Sequence, residues 1–175
     1  LGSSNYSIYI GDEAGRCATS SSVVIGTAAG KCVSLGHNTF IGDHAGTKAT
    51  EACGNTFLGK YSGSCNTTGN RNTNLGCRAG IGNTTGGHNI NIGAMSGPQN
   101  CGATGDANIF MGRYSGRALT TGECNIALGY QAGNCITTGC HNVFLARNAA
   151  KGVTTGTGNF FVGNYAGPAA CGFTG

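Results

Sequence analysis

The stretch Asn55-Thr56-Phe57-Leu58-Gly59-Lys60-Tyr61-Ser62-Gly63-Ser64-Cys65-Asn66-Thr67-Thr68-Gly69-Asn70-Arg71 decides the fold, because the next residues, NTNLGCRAGIGNTTGGH at 72–88, repeat its plan. With the opening Asn as position one, both carry Leu at four, Gly at five, a small residue and Gly at eight and nine, and T-T-G at thirteen to fifteen. Working outward, the Asn recurs at Asn38, Asn55, Asn72, Asn89, Asn108, Asn125, Asn142 and Asn159, with spacings of 17, 17, 17, 19, 17, 17 and 17. A repeat of this length, sought before any secondary structure, signals a stacked architecture. Ile10-Gly11 and Ile25-Gly26 continue it toward the N-terminus at spacings of 15 and 16. The chain reads as ten coils, one domain over residues 1–175.

A 17-residue unit with fixed glycines is too short and too Gly-rich for two helices, since Gly inside a helix costs about 1 kcal/mol relative to Ala. Asn55-Thr56-Phe57-Leu58 alternates polar and bulky side chains and stops at Gly, the pattern of a short strand and a turn. Stacked about 4.8 Å apart, such strands bond to their equivalents above and below. The expected fold is all-β: a single β-solenoid of about ten 17-residue coils, with parallel sheets along an axis on the order of 48 Å long.

Side chains alternate along a strand, so positions two and four share one face and position three takes the other. Position four is aliphatic or Met throughout, and position two turns apolar toward the C-terminus, at Ile90, Ile109, Ile126, Val143 and Phe160. These two columns are expected inside, against the small residues of position eight. Position three, with Phe40, Phe57, Phe110, Phe144 and Phe161, then points outward as a lateral interface between rods. The opposite phase, burying Phe and exposing position four, is the alternative.

Segments such as NTFIGDHAG, NTFLGKYSG and NTTGNRNTNLGCRAG resemble the N-T-x-I-G-x-x-A-G repeats, often spaced by N-T-T-G, of secreted bacterial proteins and phage tail-fibre shafts. More distantly they are similar to the S-V-A-I-G repeat in the β-roll heads of trimeric autotransporter adhesins. The resemblance covers nearly the whole chain and implies a β-solenoid in a surface fibre or its binding head; a repeat signature specifies architecture more than activity.

Composition narrows the function classes. The 175 residues hold 34 Gly, nearly three times the ordinary usage of about 7%, but only 2 Pro and 9% charged residues, which excludes collagen and a charged disordered tail. Ten Lys and Arg scattered along a chain of net charge +4 form no dense stripe, so nucleic acid is not an expected partner. No run approaches the roughly 20 apolar residues of a membrane span, and the leading LGSSNYS lacks a signal-peptide pattern, as in a mature product whose leader has been removed. No membrane contact is expected. The ten Cys include no C-x-x-C, and no His lies at zinc-finger spacing, so disulfides in an oxidising, extracellular compartment are expected rather than a metal or other cofactor. The six acids are mostly singletons, and His37, His88 and His141 fall at one corner of coils three or more apart. That is poor material for a paired-carboxylate site or a dyad, and no G-x-x-x-x-G-K-[ST] is present, so no enzyme is expected.

Some columns invite a ligand. Arg16, Lys31, Arg117 and Lys151 share position ten, and Lys60, Arg113 and Arg147 share position six, as a solvated face or a basic ridge for acidic polysaccharide. Tyr61, Tyr114 and Tyr165 recur at position seven, for packing or for stacking on sugars. Asn5, Asn66 and Asn83 open N-x-S/T sequons, candidates for glycosylation.

The expected function is a structural subunit of an extracellular fibre, sheath or appendage that self-associates head-to-tail. Its first and last coils, SIYIGDEAG and NFFVGNYAGPAACGFTG, keep the repeat without a polar cap, and uncapped strand edges invite pairing. The alternative is an extracellular binding solenoid: an ice-binding protein, or a carbohydrate- or receptor-binding adhesin or fibre shaft. Against ice, T-T-G sends adjacent Thr to opposite sides, where T-x-T would send both to one. Bridges need Cα atoms within about 7 Å. Cys17 with Cys32 (both position eleven) and Cys124 with Cys140 (seventeen and sixteen) are therefore the expected pairs. Cys53, Cys65, Cys77, Cys101, Cys135 and Cys171 have no same-position neighbour one coil away, and Cys171, in the last coil, is the candidate cross-link to another subunit.

Overall fold

The structure, a computed structural model, describes residues 6–19 and 21–174. It is a β-solenoid built on one parallel sheet. Its ten strands are β1 (Ile8–Ile10), β2 (Ser22–Ile25), β3 (Asn38–Ile41), β4 (Thr56–Leu58), β5 (Thr73–Leu75), β6 (Ile90–Ile92), β7 (Ile109–Met111), β8 (Ile126–Leu128), β9 (Val143–Leu145) and β10 (Phe160–Val162). They lie in sequence order, each in register with the equivalent residues of the next: Thr39 on Thr56, Phe40 on Phe57, Ile41 on Leu58. The described residues contain no helix. The other walls are stacked turns rather than further sheets, with isolated bridges Asn83–Ala103 and Val153–Phe173.

Three devices recurring along the chain hold this shape. The opening Asn forms a buried ladder: Asn125 Nδ2 donates to Gly139 O in its own coil at 2.8 Å, while its Oδ1 accepts the backbone N–H (3.1 Å) and Nδ2 (2.9 Å) of Asn142 above. One amide thus closes its own coil and joins it to the next. Gly at five ends each strand with φ between 122° and 140° in nine coils, a region L-residues avoid. At eight of them a Cβ would meet the next coil's position-five backbone at 2.4–3.0 Å, so the column stays glycine, with Ala146 the exception at φ 109°. The first Thr of T-T-G sends its hydroxyl to the equivalent carbonyl above, Thr67 to Thr84 and Thr120 to Thr137, both at 3.1 Å.

The strand phase is the reverse of the expected one. Phe40, Phe57, Phe110 and Phe144 are fully buried and Phe161 is half-buried, so the Phe column lines the interior and is not a lateral interface. Positions two and four face outward, with Leu58 and Leu75 41% and Met111 40% exposed. The physical reason is position nine. A Cβ on Gly63 would fall 2.5 Å from the Phe57 ring, and one on Gly116 2.5 Å from Phe110, so the missing side chain makes room for a ring in what reads as too narrow a lumen. Small Ser at eight also fits this phase by donating to the position-three carbonyl of the next coil, as Ser62 does to Asn74 O at 3.0 Å.

The interior is apolar at both ends and polar between. Val24, Val33, Phe40 and Phe57 anchor one cluster, with the two rings stacked at 4.9 Å; Phe110, Leu119, Ile136 and Phe144 anchor the other. Between them Asn66, Asn74, Asn83 and Asn91 are buried. Asn91 Nδ2 donates to Asn74 Oδ1 at 2.7 Å, leaving Asn74 Nδ2 and Asn91 Oδ1 without partners.

Candidate functional site

The sequons come first because burial decides them. Asn66 and Asn83 lie at position twelve, pointing inward, and donate to Gly69 O and Gly86 O at 2.9 and 2.7 Å. In the folded chain neither is a surface acceptor for a glycan; that expectation is corrected by the inward turn of position twelve. Asn5 lies outside the described residues.

The cysteines pair differently from the expectation. Cys65 bonds Cys101 and Cys135 bonds Cys171, each across two coils, with Cα atoms 5.8 and 5.6 Å apart. Two full coils would separate equivalent positions by about 9.6 Å, so the upper coil must fold down. It does so over a glycine. Gly82 N–H donates to Pro98 O at 2.9 Å and Gly82 O accepts from Ala103 N–H at 3.1 Å, wrapping the loop around a residue whose Cβ would strike Asn100 O at 2.3 Å. Gly152 repeats this with Pro168 O, Phe173 N–H and Ala170 O. Cys171 is thereby spent within the chain and is not a free cross-link to another subunit. The separation of 36 residues, occurring twice, with Gly at position eleven of the skipped coil, is the sequence signal for these pairs.

Of the expected pairs, Cys17 and Cys32 are brought together but remain thiols. Hydrogen bonding with Cys17, and then burial, push the Cys32 thiol pKa up. Cys124 and Cys140 are unbridged too. Coils stack position on position, so Cys140 Sγ accepts from Glu123 N–H at 3.3 Å and Cys124 is displaced by one residue.

The charged columns split the rod into unlike halves. Toward the N-terminus two acids neutralise their neighbours: Glu13 pairs with Arg16 at 2.7 Å and Lys31 at 2.8 Å, and Asp43 with His44 and, at 3.2 Å, Lys60. Lys31 beside Glu13, and His44 then Lys60 beside Asp43, hold both carboxyls below the usual range, and Asp43 raises the Lys60 ammonium in return. In the last four coils positions six to ten carry no acid. There Arg113 and Arg117 lie 4.6 and 5.4 Å from the Tyr114 ring, Arg147 sits between Tyr130 (5.8 Å) and Tyr165 (5.7 Å), and Tyr114 meets Tyr130 edge-on at 6.2 Å. The left-handed φ of position seven, 51° to 63° in all ten coils, sets Tyr114 and Tyr165 at the same corner of their coils. A pocket of about 210 Å3 opens beside Arg117, lined by Gln99, Asn100, Ala118, Asn134 and Cys135. Tyr130, at position six, belongs to this ridge but escapes a search for Tyr at position seven.

The remaining columns are simpler. His37, His88 and His141 occupy one corner with left-handed φ of 65°, 59° and 58°. Among the described residues no three His, Cys, Asp or Glu side chains gather as a metal site would need. The second Thr of T-T-G is exposed, at Thr68, Thr85, Thr121, Thr138 and Thr155, forming one column of hydroxyls rather than two. Compared with protein-family models, curated proteins and solved structures, the chain matches none.

Proposed function

We propose that the chain is a structural element of an extracellular fibre, sheath or appendage, extended by head-to-tail stacking of copies. The observation that carries this reading is the coil interface itself. β10 presents the same backbone edge that β3 to β9 present to their successors, and Asn159 carries the same amide as the rungs from Asn38 to Asn142. Each rung is a template for another, and a coil supplied by a second copy meets the same donors and acceptors as one within the chain. A heterologous contact of this kind builds open filaments. The two disulfides favour an oxidising, extracellular setting, and clipped coils suit a shaft that must last. The likeness to tail-fibre and adhesin repeats points the same way. Negative-stain electron microscopy tests it: rods with lengths in steps of about 48 Å, growing with protein concentration, are expected, and dispersed rods of one length at every concentration would overturn it.

A second reading is favoured by the ridge of Arg113, Arg117 and Arg147 among Tyr114, Tyr130 and Tyr165, which no carboxylate in its own columns neutralises. Tyr faces stack on sugar rings while guanidinium groups take carboxylates in bidentate pairs. This makes the C-terminal half a binding surface for acidic polysaccharide. Affinity electrophoresis through a gel containing polyuronate should retard the chain, with the R113A/R147A variant released and neutral dextran without effect.

A further inference from the structure

We infer that the outer face of the sheet is a lateral interface on which a second copy of this chain packs, sheet against sheet. Positions two and four of the ten strands place twenty side chains outward, and none is charged. Seventeen are aliphatic, Met or Phe and the other three are Thr. Parallel sheets occur almost only with both faces covered, and their strands then read as apolar on both sides. The inner face of this sheet is buried in the lumen; the outer face, more uniformly apolar, is open to solvent.

Size and outline favour a protein partner. Ten strands at about 4.8 Å make a strip roughly 43 Å long. Along it Leu58, Leu75 and Met111 are 40–41% exposed, Val162 54% and Phe160 69%. The twenty side chains together offer on the order of 1,000 Å2, beyond the largest apolar patch of a typical monomer and enough for the ~800 Å2 per partner of a standard interface. Polar columns flank the strip: Asp43, Lys60, Arg113 and Arg147 on one side, Arg71, His88 and His141 on the other. An apolar centre with a charged rim is the anatomy of a protein interface.

Periodicity selects the occupant. The face is a ladder whose knobs recur at the coil rise, and only a surface with the same rise stays interdigitated along its full length. A second copy has that rise by construction, and a twofold pairing presents the same patch from both sides. The two sheets then lie about 10 Å apart, as packed sheets do. This contact is independent of head-to-tail stacking: it doubles the width of the rod and closes at two, whereas stacking lengthens it without limit.

The test is sedimentation equilibrium for mass, with negative-stain electron microscopy for width, on the oxidised chain, beside the L75K/M111K variant in mid-face and a T121K control on the exposed Thr column. The wild-type chain and T121K should sediment at twice 17.4 kDa, or as filaments of paired width. L75K/M111K should fall to single width with an unchanged circular-dichroism spectrum, since both side chains point to solvent in the free rod. Raising salt should strengthen the pairing by screening the net charge of +4. A wild-type chain of single width throughout, or pairing that survives L75K/M111K, overturns the inference. So does a monomer that floats with phosphatidylcholine vesicles or shows thermal hysteresis, which would give the face to lipid or to ice.

Discussion

At the scale of single residues, the coil depends on a few positions that tolerate almost nothing else. Asn125 is one. Replacing it with Ala removes the acceptor for two donors of Asn142 and the donor to Gly139 O, in a site with no exposure to water. Orphaned buried groups cost about 1–3 kcal/mol each, so Asn125→Ala should lower stability by roughly 2–4 kcal/mol, read as a drop in the denaturant midpoint. Ala146 is the opposite case. It alone breaks the glycine column at five, holding φ 109° where a side chain is strained by about 1–3 kcal/mol. Ala146→Gly relieves that strain at an entropic cost of about 0.5–1 kcal/mol. It should raise the thermal midpoint, and an unchanged or lower midpoint would show that the site carries no strain. Both positions are legible in the sequence, because a column of identical residues marks a rule and the lone departure marks a cost.

At the scale of coils, the hidden features were those in which neighbouring coils differ. Period-two alternation could not choose the strand phase, because positions two, three and four are all largely apolar, and a lumen lined by small Ala or Ser at position eight reads as too narrow for Phe. The deciding signal lay at position nine, where an absent side chain makes the lumen wide enough for Phe. The disulfides were missed for a related reason, since a search over adjacent coils cannot find partners that meet across a skipped one. Two predictions belong here. The middle coils carry half-satisfied Asn74 and Asn91 where their neighbours carry Phe57 and Phe110, above the same small residue and Gly at eight and nine. Asn74→Phe with Asn91→Phe should therefore fuse the two apolar clusters and stabilise the chain, by about 1–3 kcal/mol from removing two unsatisfied groups; destabilisation would mean that the interior narrows at these coils. Each disulfide closes a span of 36 residues, worth about 3–4 kcal/mol on a chain-entropy account. Cys65→Ser with Cys101→Ser should lower the denaturant midpoint accordingly, and peptide mapping of the parent should recover the Cys65–Cys101 and Cys135–Cys171 links intact.

At the scale of the molecule, a solenoid is quasi-one-dimensional, so its stability is distributed along the axis coil by coil. The spacing of Asn residues, continued by Ile10-Gly11 and Ile25-Gly26, made the number of coils readable at once. It did not show how unevenly they are secured. The ladder is weakest where it begins: Ser22 N–H reaches Ser7 Oγ, and Asn38 N–H reaches Ser22 Oγ, only at 3.3 Å, against 2.8–3.1 Å at every later rung. Those first coils also lie outside both disulfide spans. From Cys65 onward, by contrast, two clips embrace most of the remaining coils, and the Asn ladder runs through them unbroken. Opening of such an array proceeds from the least secured coils, with local free energies rising toward the best-tied ones. Hydrogen exchange on the oxidised chain should therefore rank amides by position. Those of β1 and β2 should exchange first, those of β3 and β4 next, and those of β5, β6 and β9, held inside the clips, last. Reductant should flatten that gradient by speeding exchange within the clipped spans while leaving β1 and β2 as they were. Uniform exchange in both states would mean instead that the coils unfold as one cooperative unit, with the disulfides adding to its total stability rather than to its distribution.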